Sequence, residues 1–124
     1  MAKQKESLVR DAIVQYLDTR KDVYYWVNRN TSAYLGGGKF GNPPKGFKYG
    51  VADIIVIQQV KDYLPYLLGI ECKSDTGGQT ETQIFFESGI VSKGAFYLIA
   101  RSVNPVQEWI EAKDKPQSLL VGKK

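Results

Sequence analysis

The 124-residue sequence contains no histidine. That absence excludes Ser-His-Asp and Cys-His catalysis and histidine-ligated zinc. Hydrolytic chemistry is left to carboxylates, lysines, polar groups or a metal held by oxygen ligands. A single cysteine, Cys72, excludes an intrachain disulfide and a Cys-rich zinc site. No apolar run approaches the roughly 20 residues that cross a bilayer. The polar opening MAKQKES lacks the apolar core of a secretory signal. No membrane association is expected, and the expected location is the cytoplasm. The chain also lacks internal repeats and low-complexity blocks.

What is present fits one globular domain over residues 1–124, with a core at about 6–110. Hydrophobic residues make up 43% of the chain, enough for a real core. The formal charge is +4, a modest tilt toward an anionic partner such as nucleic acid.

Helical spacing of Leu8, Ala12 or Ile13, Tyr16 and Leu17 predicts a helix over 6–19, with Glu6 and Ser7 suited to its start. The aromatic and branched run at 23–28 predicts a strand in which Tyr24, Tyr25 and Trp26 serve core and edge packing in preference to a base-stacking platform. Residues 29–50 read as a long irregular loop. It carries Arg29, Lys39, Lys45 and Lys48 interleaved with Tyr34, Phe40, Phe47 and Tyr49. Basic and aromatic residues on such a loop suit a nucleic-acid backbone and unstacked bases, and the plainer alternative is a solvated surface loop.

The apolar runs at 51–60 and 63–73, separated by a turn at Lys61-Asp62, predict an antiparallel hairpin. Pro65 points to an edge position or bulge near the start of the second strand. Residues 80–93 predict a helix with Thr80 as N-cap and Gln83 at the capping-box position. A buried strand is expected at 95–100, and a short helix at 105–113 capped by Asn104. The fold class expected is α/β, a mixed central sheet flanked by helices.

Two acids stand where a core strand should not want them. Asp53 interrupts the run VADIIVIQQV, and Glu71 lies near the end of the next strand. An unpaired buried carboxylate costs several kcal/mol, so compensation is required. Antiparallel neighbours can bring Asp53 and Glu71 side by side. Alternation puts Glu71 and Lys73 on one face and turns Cys72 into the core. Two carboxylates, the Cys72 backbone carbonyl and water form an oxygen-rich set suited to Mg²⁺ or Mn²⁺. Lys73 can orient or deprotonate a water or neutralise developing charge. Each group also has a structural alternative: a strand-end acid for Asp53, an exposed ionic patch for Glu71 and Lys73, simple helix-end roles for Gln83 and Glu6.

The run Gly50-Val51-Ala52-Asp53, then Glu71-Cys72-Lys73, then Gln83 on the following helix resembles the PD-(D/E)XK nuclease superfamily. It is most similar to the virus-type replication-repair nuclease (VRR-NUC) family, with Glu6 on an early helix and Lys93-Gly94-Ala95 before the last strand. Ala52 stands where the superfamily has its name-giving proline. The resemblance spans about residues 6–110. It implies a restriction-endonuclease-like core, metal ligation by Asp53 and Glu71, catalysis by Lys73, and supporting roles for Glu6 and Gln83. It further implies a stand-alone phage or bacterial enzyme, similar to dimeric enzymes that cut four-way DNA junctions.

The expected activity is therefore Mg²⁺- or Mn²⁺-dependent endonucleolytic hydrolysis of branched or junction DNA by a homodimer. Tyr63 to Leu68 and Leu119 to Val121 are the candidate dimer surfaces. Flap or nonspecific cleavage by the same chemistry is one alternative. A noncatalytic nucleic-acid-binding module is the other.

Overall fold

The protein is described from a computed structural model, which covers residues 5–28, 34–36, 39–40, 45–46, 48–113 and 115. Helix α1 (Glu6–Leu17) is followed by β1 (Val23–Val27), β2 (Tyr34–Gly36) and β3 (Lys39–Phe40). Then come β4 (Ile54–Gln58), β5 (Tyr66–Cys72), α2 (Glu81–Val91), β6 (Phe96–Ala100) and α3 (Asn104–Glu111). The main sheet has the order β1-β4-β5-β6. The first two pairings are antiparallel and the β5–β6 pairing is parallel, as a strand-helix-strand crossover requires. This is the mixed α/β sheet expected from the sequence. The long stretch read as irregular contains an antiparallel pair, β2 with β3. Tyr34 pairs with Phe40 and Gly36 with Lys39.

One face of the sheet holds the main core. Val9, Ile13 and Leu17 of α1 and Val106 and Ile110 of α3 pack on Ile54, Val56, Leu68, Ile70, Cys72 and Ala100. Each fully buried aliphatic side chain contributes about 1.5–3 kcal/mol. The buried stripe of α1 runs 9-13-17; Ile13 and Leu17 are buried as expected, whereas Val9 takes the place expected of Leu8, which is exposed. Spacing i, i+4, i+8 keeps those three side chains over one line of the sheet, whereas Leu8 falls outside it.

Helix α2 packs on the β5–β6 half of the opposite face. It contributes no fully buried residue, but the Ile90 side chain reaches Gly69 of β5, where an added Cβ would stand 3.2 Å from Ile90 Cδ1. Several expected boundaries shift. Strand β5 lies inside the sheet, not at an edge, and Pro65 precedes it, where its missing N–H breaks no ladder bond. Strand β6 is half-buried at Phe96 to Leu98, exposed at Ile99 and buried at Ala100, because it forms the other edge of the sheet. Asn104 is the first residue of α3 and gives no side-chain cap. The N-cap of α1 is Lys5, also without a side-chain cap bond.

Of the two candidate dimer surfaces, Leu119 to Val121 lie outside the described residues. Within the first, Tyr63, Leu64 and Leu67 are exposed and Tyr66 is buried beside Phe96 and Trp109. Among the described residues no helix is long and apolar enough to cross a membrane.

Candidate active site

The acids and the lysine gather on the α2 face of the sheet. Asp53 stands just ahead of β4, not within it as expected from the apolar run. Ile54 pairs with Ile70; one step further, the same register sets Asp53 opposite Glu71. Since Ile54 and Ile70 point into the main core, Asp53 and Glu71 point the other way. Lys73, two residues past Glu71, shares that face. Cys72 lies between them, buried in the core as the alternation predicts.

Glu71 and Lys73 are 1% and 6% exposed, so neither belongs to an exposed ionic patch. Their compensation comes from Gln83. Gln83 Nε2 donates to Glu71 Oε2 at 2.8 Å. Gln83 Oε1 accepts from Lys73 Nζ at 2.8 Å and from the Thr80 N–H at 2.9 Å. Thr80 Oγ1 in turn accepts from the Gln83 N–H, completing a capping box. Structural and site roles thus coincide in one side chain: the cap fixes the rotamer that bridges Glu71 and Lys73. Lys73 Nζ lies 3.8 Å from Glu71 Oε2, and Tyr97 Oη donates to Glu71 Oε1 at 3.5 Å.

Asp53 is anchored by the Cys72 N–H, which donates to Asp53 Oδ2 at 2.7 Å. The N–H and C=O of one strand residue point to the same side. The Cys72 carbonyl therefore faces the Asp53 side of β5, while the next N–H, that of Lys73, donates to Ala100 on the β6 side. This is the orientation a carbonyl ligand needs.

Burial, then the charge of Asp53, then a hydrogen bond with Asp53 push the Glu71 carboxyl up to about 8; Lys73 opposes the shift and Glu6 adds weakly to it. Burial first, then the same acids, pushes the Cys72 thiol up to about 12, so it is no nucleophile at neutral pH. Two carboxyls converging in a buried setting hold excess negative charge that a proton or a cation can relieve. The donor set is all oxygen. The residues therefore fit a hard divalent ion such as Mg²⁺ or Mn²⁺. Among the described residues no group of three His, Cys, Asp or Glu gathers in ligating geometry, so the set is two carboxylates and a carbonyl.

Glu6 does not join this cluster. It is exposed at the start of α1 and its side chain makes no hydrogen bond or ion pair among the described residues; only its charge reaches Glu71 and Cys72. Lys45 and Lys48 are exposed. Lys48 borders a cleft of about 700 Å³ that also meets Tyr49, Phe85 and Phe86. Lys39 lies in β3, and its side chain, like the whole of Arg29, lies outside the described residues.

The sequence alone does not give the reason for Gly50. It has φ +73°, and an added Cβ would collide with Thr82 C and O and with Gln83 N. The loop carrying Asp53 thus presses its backbone on the first turn of α2, beside Gln83. Asn28 and Tyr97 were also not anticipated. Asn28 ties β1 to the Asp53 segment, donating from its N–H to Asp53 O at 2.8 Å and from Nδ2 to Ala52 O at 3.1 Å.

Compared with protein-family models, curated proteins and solved structures, the chain has no match.

Proposed function

We propose that this chain is a Mg²⁺- or Mn²⁺-dependent endonuclease with a restriction-endonuclease-like core that hydrolyses phosphodiester bonds in branched DNA, acting as a homodimer. The reading rests on one observation above all: Asp53, Glu71 and Lys73 converge on one face, with Gln83 bonded to both Glu71 and Lys73. A surface ion pair needs no such burial or bridging.

In this reading Asp53, Glu71 and the Cys72 carbonyl hold the cation, which supplies charge neutralisation at the phosphoryl oxygens and a more acidic water. The rest falls to the chain. Lys73 Nζ carries three protons; Gln83 Oε1 takes one and Glu71 lies nearest a second. A third remains for a phosphoryl oxygen or for the attacking water. Hydrolysis forms a bond from the water oxygen to phosphorus and breaks the bond to the leaving oxygen. The water loses one proton and the leaving oxygen gains one, so no covalent enzyme intermediate is needed. Gln83 positions Lys73 and Glu71 and does not touch the reacting atoms. Glu6, exposed and without a hydrogen bond among the described residues, supports the site through its charge, which reaches Glu71 and Cys72.

The homodimer follows from the substrate: a symmetric four-way junction needs two coordinated cuts, and each chain carries one site. Lys45 and Lys48, with Arg29 and Lys39 by sequence, are assigned to phosphate contacts.

The test is cleavage of labelled four-way junction, flap, single-stranded and linear duplex DNA in Mg²⁺ or Mn²⁺, with EDTA as control. Paired symmetric nicks in the junction are expected. Cutting confined to flaps or to duplex would keep the chemistry and discard junction resolution. DNA binding without metal-dependent cutting would leave a noncatalytic binding module.

A further inference from the structure

The site face of the sheet continues past the carboxylates to the edge strand β1. Val23 and Tyr25 pack toward the main core, so alternation turns Tyr24 and Trp26 onto the face that carries Asp53 and Glu71. Trp26 pairs with Ile55 and Tyr24 with Ile57. Asp53 lies two residues before Ile55, about 7 Å along the strand. Helix α2 sits over the β5–β6 half of this face. On the β1 half Tyr24 is 71% exposed and Trp26 42%; of the three aromatics expected in core and edge packing, Tyr25 is the one that packs on the core.

The two rings form a unit. Their centroids are 6.3 Å apart with planes tilted by 58°. Trp26 Nε1 donates to Asn28 Oδ1 at 3.1 Å. Asn28 is the residue bonded to Ala52 O and Asp53 O. The Trp26 ring is thereby tied to the backbone on either side of a proposed metal ligand, at a fixed offset from it.

We propose that Tyr24 and Trp26 form a stacking platform for unpaired bases of the DNA strand held at the site. The inference rests on the nuclease reading for the position of the phosphodiester. A base is favoured over a protein partner by three observations. The rings share a face with the candidate phosphodiester site. The chain has a net charge of +4, which favours a polyanion. The rings stand on one side of a single edge strand and are exposed. An unpaired base offers its π-face, whereas a base inside a duplex is already stacked, so the platform selects flaps and single strands over intact duplex.

The experiment is fluorescence anisotropy of labelled single-stranded and duplex DNA of equal length. It is run in EDTA, where metal-dependent hydrolysis is arrested. Tyr24→Ala, Trp26→Ala and Trp26→Phe are compared with the unsubstituted protein. Thermal unfolding checks that each variant is folded. Each alanine variant is expected to weaken single-strand binding by roughly five- to hundredfold, with duplex binding within about twofold and the salt slope unchanged. Trp26→Phe, which keeps an aromatic face, is expected to stay close to the unsubstituted protein. Equal losses on both DNAs, or no loss on either, would overturn the platform; the second result is the one a protein-docking surface gives. The two readings fail separately, because the binding difference requires no cleavage. Metal-dependent cutting with unchanged single-strand binding removes the platform alone. Selective binding loss without cutting of any substrate removes the nuclease reading alone.

Discussion

Gln83 bonds to Glu71 and Lys73 at once, donating to Glu71 Oε2 and accepting from Lys73 Nζ, each at 2.8 Å. One neutral amide thereby satisfies an acid and a base that are both buried. Replacing it by alanine leaves both buried groups without this partner and breaks the capping box. Loss of the cap costs about 1 kcal/mol, and each unsatisfied buried group about 1–3 kcal/mol. Urea unfolding of Gln83→Ala is expected to show a loss of about 3 kcal/mol or more. Thr80→Ala, which removes only the hydroxyl cap, should lose about 1 kcal/mol. Equal losses would mean that the bridge to Glu71 and Lys73 contributes nothing.

Gly50 and Gly46 form a matched pair for the loop contact. Both have positive φ, +73° and +90°, but Gly50 faces backbone, that of Thr82 and Gln83, whereas among the described residues nothing lies within 4 Å of a Cβ at Gly46. Gly46→Ala is expected to cost about 1 kcal/mol, for backbone strain alone. Gly50→Ala adds a collision that only movement of α2 can relieve. Its thermal midpoint should fall clearly further, with cleavage reduced because Gln83 moves with the helix.

The raised Glu71 carboxyl makes the metal-free protein sensitive to pH. Its folded value of about 8 lies above the ordinary 4.5, so the folded state holds the proton more tightly. The protonated group's contribution to stability is full below about 4.5 and is lost as pH rises through about 8. In EDTA, the unsubstituted protein should lose stability against Glu71→Gln between those pH values. Mg²⁺ or Mn²⁺ should reverse the loss at pH 8 in the unsubstituted protein only. Urea midpoints of the two proteins across that range, with and without metal, provide the measurement.

Much of this site was legible in the sequence. An acid interrupting an apolar strand, and an acid and lysine two apart on the next strand, fix a shared face through alternation alone. The capping box around Gln83 followed from Thr80 three residues ahead. Other features depend on packing that local patterns do not carry. Leu8 and Val9 are equally apolar, and only the sheet beneath α1 decides which is buried. Glu6 has the right residue type at a helix start, but it is exposed and makes no bond. The exposure of Tyr24 and Trp26 depends on how far α2 extends across the sheet, and the requirement for Gly50 depends on where the first turn of α2 docks.

The exposed lysines provide a test of how DNA is held. If Lys45 and Lys48 each neutralise one phosphate, each alanine substitution should weaken duplex binding at low salt. Each should also reduce the slope of log affinity against log salt by about 0.9. An unchanged slope would leave them as solvated surface.

The most direct test of the account is the single-turnover rate of four-way junction cleavage in Mn²⁺ by the unsubstituted protein and by Lys73→Ala, with junction affinity measured alongside. The account predicts a rate lower by at least about 100-fold for the variant, the scale of a lost acid–base or charge-stabilising group, with affinity within about twofold. Equal rates in the two proteins would contradict it.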